Sequence, residues 1–107
     1  MLLNSFPLQI VADGSRVIVN AASLNEAVEA LLEGGSAIGH QTTADVLTNI
    51  LGVPVPMARV TIPTSHTGDV VIAQYSGARL PEGATTLPEG AKIEFRRVRW
   101  WPNAWGD

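Results

Sequence analysis

The sequence predicts an α+β domain: one mixed or antiparallel β-sheet of about five strands with helices packed on it. Three observations lead there. Two segments carry apolar residues at helical spacing between cap and stop signals; several short runs are β-rich or alternate in polarity; and the order strand, strand, helix, helix, strand, strand, strand groups the helices together. At 107 residues without a cysteine, the chain reads as one domain spanning residues 1–107 that folds without disulfides or thiolate metal ligands.

A first strand is expected over Met1–Ser5, a weaker one over Leu8–Val11 and a clearer one over Arg16–Asn20. SLNEAVEALLEGG then has Ser23 as an N-cap, Glu26 three places on, an apolar stripe of Leu24, Ala27, Val28, Leu31 and Leu32, and a Gly34-Gly35 stop. In QTTADVLTNILG, Thr42 or Thr43 is the expected cap and Asp45 favours the first turn. Val46, Leu47, Ile50 and Leu51 form the stripe, and Gly52 ends the helix. VPVP prevents its continuation.

Strands at Arg59–Ile62, Val70–Tyr75 and Lys92–Trp100 complete the sheet. A hairpin turn in PTSHTGD places His66 at a polar tip, where it reads as solvent-facing. Arg96-Arg97 interrupts the alternation of the last strand as a bulge does. GARLPEGATTLPEGA repeats LPEG at residues 80–83 and 87–90, too short a period for a solenoid. It marks a mobile connection of roughly a dozen residues, a length more often functional than idle.

The formal net charge of −3 argues against a duplex binder that relies on a wide basic field, so a polyanionic ligand has to be held locally. A chain this short buries a modest fraction of its surface and gains from association, so a homodimer is expected. MLLNSFPLQIVADG lacks a basic n-region, and Asn4, Pro7, Gln9 and Asp13 break its apolar run, so neither a leader nor a membrane span is expected. The expectation is a soluble cytoplasmic protein.

His40 precedes the second helix, where unpaired N–H groups and the positive end of the macrodipole favour an anion. A reference pKa of ~6.5 lets imidazole donate a proton near neutrality, and a bound phosphate raises that value. The plainer reading is a histidine that caps or packs. Arg79 and Glu82 are three apart, but Pro81 and the flanking glycines make this a loop, and solvated loop charges are the ordinary outcome. Metal binding is not expected, since there is no His-x-x-x-His and no carboxylate cluster at coordinating spacing. There is no phosphate-binding glycine loop with Lys-Ser or Lys-Thr, and neither Ser36 nor Ser76 sits in a Gly-x-Ser-x-Gly elbow. Trp100, Trp101 and Trp105 are able to stack bases, although packing on the domain or across a dimer is the simpler role.

Taken together, LLNSF at 2–6, SAIGHQTTADVLTNILG at 36–52, ARLPEG at 78–83 and FRRVRWW at 95–101 resemble the small viral ring nucleases that act as anti-CRISPR proteins against type III systems. AIGH before a threonine-containing helix start is the most specific part. The resemblance implies a cytoplasmic homodimer, in a prokaryotic or virus-infected cell, that encloses a cyclic oligoadenylate, usually the tetra-adenylate, and cleaves it without metal or cofactor. It implies catalytic roles for His40, Arg79 and Glu82 and a ligand contact at Asn4. With Ser5, Gly39, Gln41, Thr42 and Thr43, Asn4 makes up the candidate substrate-binding set. Gly77, Ala78 and Pro81 depart from the family pattern. The alternatives are a protein that sequesters the ring without cutting it, and an interaction protein that uses its tryptophan-rich C-terminus.

Overall fold

Leu2 and Leu3 point to opposite faces of a strand yet both are buried, which requires a central strand covered on both sides. In the computed structural model, which describes residues 1–62 and 67–102, they form strand β1 (Leu2–Leu3). The other elements are β2 (Arg16–Ala22), α1 (Leu24–Gly34), β3 (Ser36–Ala37), α2 (Gln41–Leu51), β4 (Gly68–Ser76) and β5 (Lys92–Trp101). They make the expected α+β arrangement, a mixed five-stranded sheet in the order β2-β5-β4-β1-β3 with two helices. β1 pairs in parallel with β3 and β4, whereas β5 pairs antiparallel with β4 and β2.

Two expected strands are absent and one unexpected strand takes a place in the sheet. Leu8–Ile10 is a 3-10 turn, not an extended run: Pro7 accepts from the Ile10 N–H at 3.1 Å, and only Ile10 of the three is buried. Arg59–Ile62 forms no strand. After Pro54 and Pro56, Met57 bridges Ile38, and Arg59–Ile62 then pairs with no described strand. The fifth strand is β3, two residues that follow the glycine pair. The hairpin expected in PTSHTGD has no first strand, and its His66 lies outside the described residues. The expected bulge is also absent, because the β4–β5 register runs unbroken from Gly68↔Trp100 to Ser76↔Lys92. Arg96 and Arg97 alternate normally: Arg96 bonds Glu94, while Arg97 reaches Glu26 at 3.5 Å and Asp69 at 3.3 Å.

Helix α1 starts where the capping signal places it, with Ser23 Oγ accepting from the Glu26 N–H at 3.1 Å. Ser23→Ala is expected to cost about 1 kcal/mol, read as a lowered denaturant midpoint at unchanged slope. Ala27, Ala30 and Leu31 are buried, while Leu24 and Leu32 are exposed and fall outside the packed stripe. One core lies between the helices and the sheet and contains Leu2, Leu31, Leu47, Val71 and Phe95. A second lies on the opposite face around Leu3, Val70, Ile72, Val98 and Trp100.

Along β5, Lys92 and Arg96 flank Glu94, and their hydrogen bonds hold its carboxyl below the usual carboxylate range. A lowered folded-state value adds stability above the unfolded pKa, and that stability is lost as pH falls through the folded one. Glu94→Gln is therefore expected to lower the melting temperature slightly at neutral pH and by less at an acid pH below the ordinary glutamate range. Thermal melts at the two pH values check this.

Candidate functional site

Because β3, β1 and β4 are parallel neighbours, their C-terminal ends emerge at the same end of the sheet, the usual place for a ligand in such layouts. Asn4 follows β1 there. After β3 the chain passes through Ile38 and Gly39 to His40, and α2 starts at Gln41 with its free N–H groups facing this end. β4 delivers Ala73 and Tyr75 before the loop of residues 77–91 turns back into β5.

These segments enclose a hollow of about 800 Å³ lined by Asn4, His40, Thr42, Thr43, Ala73, Tyr75, Arg79, Leu80, Pro81 and Glu82. That size lies within the range of small-molecule sites. The fold thus unites Asn4, His40, Thr42, Thr43, Arg79 and Glu82 from three separate stretches of sequence. Ser5, Gly39 and Gln41, also expected to bind substrate, are not on its wall. Gln41 Nε2 instead donates to Asp45 at 2.8 Å, and the Gly39 carbonyl accepts from Arg59 Nε at 3.0 Å. Arg59 thereby fixes the turn that leads into His40.

His40 itself is the N-cap of α2, in place of the expected Thr42 or Thr43. Its extended backbone (φ −129°, ψ 131°) lets its carbonyl accept from the Ala44 N–H at 3.0 Å. The imidazole makes no capping bond, and the residue is exposed at the hollow. Neither capping by its ring nor core packing explains it. The two threonines, released from capping, face the hollow.

The 77–91 loop is held at several points. Each LPEG repeat folds into the same turn: Ala84 N–H donates to Pro81 and Ala91 N–H to Pro88, with Gly83 and Gly90 at φ of 81° and 80°. Gly83 N–H reaches Thr42 Oγ1 at 3.4 Å, and Asn49 Nδ2 donates to the Thr85 carbonyl at 3.2 Å. Arg79 and Glu82 are exposed and form no ion pair among the described residues, so a guanidinium fork and a carboxylate face the same space as the imidazole. That set offers a proton donor, a bidentate phosphate contact and an acceptor. Among the described residues no three His, Asp or Glu side chains group as metal ligands do.

Sequence reasoning missed Tyr75 and Arg59, because each acts through a contact that local patterning does not report. Trp100 is buried on the opposite face, edge-to-face with Phe6 at 5.3 Å, and is a core residue unavailable to stack a base. Trp101 is half-buried at the end of β5, and Trp105 lies outside the described residues. No described helix is long and apolar enough to cross a membrane.

The profile of the STIV B116-like family matches residues 1–97, a span that includes every residue lining the hollow. "Uncharacterized protein 26" of Sulfolobus islandicus filamentous virus (isolate Iceland/Hveragerdi) is 37% identical over 86 residues, covering 77% of this chain and 71% of the relative.

Proposed function

This chain belongs to the STIV B116-like family, and we propose that it is a metal-independent ring nuclease that binds cyclic tetra-adenylate between two subunits and cleaves it to linear di-adenylates. The observation that carries the reading is the shared hollow. It gathers His40, Arg79 and Glu82 with Asn4, Thr42 and Thr43 at the start of a helix.

RNA carries its own nucleophile. A ribose 2′-oxygen aligned behind its phosphate forms the new P–O bond and displaces the 5′-oxygen, leaving a 2′,3′-cyclic phosphate and a 5′-hydroxyl. The protein has to hold that line, protonate the leaving oxygen and stabilise the added charge. His40 donates the proton to the 5′-oxygen, and the 2′-hydroxyl proton is released to solvent. Arg79 holds the phosphate oxygens through paired N–H donors, and Glu82 orients Arg79 or the 2′-hydroxyl. The helix terminus adds partial positive charge.

A two-fold dimer presents two equivalent sites to a four-fold ring, which favours cuts at opposite linkages. It also uses each Arg79 and each helix terminus twice in one cavity, which lets a chain of net charge −3 hold a polyanion. Loss of the second messenger then turns off type III CRISPR effector nucleases, an anti-CRISPR role in keeping with a relative encoded by a virus.

Incubating the EDTA-treated protein with cyclic oligoadenylates of several ring sizes and separating the products by chromatography tests this. The tetra-adenylate is expected to shorten. Protection of an intact ring at one per dimer identifies a sequestering protein, and no binding to any ring overturns the assignment.

A further inference from the structure

Tyr75 sits on β4 just before the loop that carries Arg79, half-buried, with its hydroxyl donating to the carbonyl of Ala78. That carbonyl belongs to the peptide that enters Arg79, so the bond fixes the plane from which the arginine projects. The chain can pass this point only as glycine. Gly77 has φ 135°, and a Cβ there would lie 2.7 Å from the Ala91 Cβ and 3.4 Å from the Tyr75 hydroxyl. The two ends of the loop are thus pinched together at Gly77 and Ala91, and the tyrosine crosses beside the pinch.

We propose that Tyr75 is a positioning residue: its hydroxyl latches the base of the loop and sets Arg79 over the hollow before any ligand arrives. The inference rests on the functional reading above for its catalytic consequence, but the latch itself does not. Without that bond, an arginine whose loop is tied to α2 through the more distant Gly83–Thr42 and Thr85–Asn49 contacts samples more orientations, and each has to be lost again when the phosphate is gripped. Fixing the Ala78–Arg79 peptide removes part of that loss in advance.

The sheet end also explains why tyrosine serves here. Tyr75 pairs with Ile93 on the first rungs of the β4–β5 ladder, so its ring is held by regular structure while its hydroxyl reaches three residues along the chain. A rigid strand thereby dictates the geometry of a loop. Pro81 and the turn that closes on Ala84 then carry that geometry forward to Glu82.

Tyr75→Phe keeps the aromatic face toward the hollow and deletes only the latch. Two measurements decide. Amide hydrogen exchange of the unliganded protein is expected to rise across residues 77–84 in the variant and to stay unchanged in α1. On cyclic tetra-adenylate, turnover is expected to fall about tenfold, the effect of one lost hydrogen bond, with little change in the ring concentration at half-maximal rate. In an Arg79→Ala background the same change is expected to have no further effect, because the tyrosine acts through that arginine. Unchanged exchange across the loop overturns the latch. An equal loss of turnover or ring affinity with and without Arg79 overturns it too, and assigns the hydroxyl to direct ligand contact. A wild-type protein inert toward the ring overturns the functional reading alone, and the exchange result still supports or rejects the latch.

Discussion

Replacing His40 with alanine is expected to slow cleavage of cyclic tetra-adenylate by on the order of 10²–10⁴-fold, the range of a lost general acid, while the ring still binds. The geometry separates the two effects. His40 caps α2 through its backbone carbonyl, which alanine retains, and its imidazole makes no capping bond. Helix and hollow therefore survive the substitution. Arg79 and the threonines, the groups proposed to hold phosphate, also remain on the wall of the hollow. Titration of bound ring by calorimetry alongside a single-turnover assay checks both halves. A variant as fast as wild type removes His40 from the chemistry, and one that no longer binds makes it a ligand contact.

The second large effect is on stability. Trp100→Ala is expected to destabilise the fold by about 3–5 kcal/mol, a large share of the roughly 5–15 kcal/mol that holds a domain together. The indole is 4% exposed and meets Phe6 edge-to-face. It also lies directly over Gly68, where a built Cβ would fall 1.9 Å from Trp100 Cζ2. Gly68→Ala is accordingly expected to push the ring out of its seat, at a cost of about 1–3 kcal/mol. Denaturant unfolding followed by tryptophan fluorescence reads both. Ring cleavage by Trp100→Ala protein at a temperature where it remains folded is expected to be close to normal, since Trp100 belongs to the core on the face away from the hollow.

The elements that the sequence specifies locally are the ones that pattern reading found. Ser23, Glu26 and Gly35 mark α1 through bonds within a few residues, and Gly52 ends α2 in the left-handed conformation (φ 74°, ψ 13°) that glycine favours. β4 and β5 are long enough for their runs to show. β3 is not: two residues after a glycine pair carry no measurable period, and they become a strand only because β1 lies beside them. Leu8–Ile10 and Arg59–Ile62 fail for the converse reason. Each is β-rich in composition, but Pro7 precedes a 3-10 turn in one and Pro54 and Pro56 precede the other, and neither run forms a ladder with a described strand.

The candidate site divides in the same way. Asn4, His40, Thr42, Thr43, Arg79 and Glu82 were legible from their resemblance to a family pattern, and the parallel run of β3, β1 and β4 is what brings them to one end of the sheet. His40 rather than a threonine took the cap because its extended backbone supplies the carbonyl that the first turn needs, which requires no side-chain oxygen. Arg59, which braces Gly39 from 20 residues away, and Tyr75, whose hydroxyl turns back to Ala78, act through contacts that neither composition nor spacing reveals.

The most direct test is the mass and end-group chemistry of the products formed from cyclic tetra-adenylate in EDTA during a single turnover. Attack by the 2′-oxygen predicts linear di-adenylates of exactly half the ring's mass at first, with 2′,3′-cyclic phosphate and 5′-hydroxyl ends. Fragments one water heavier from the outset with 5′-phosphate ends, or a ring that remains intact, would contradict it.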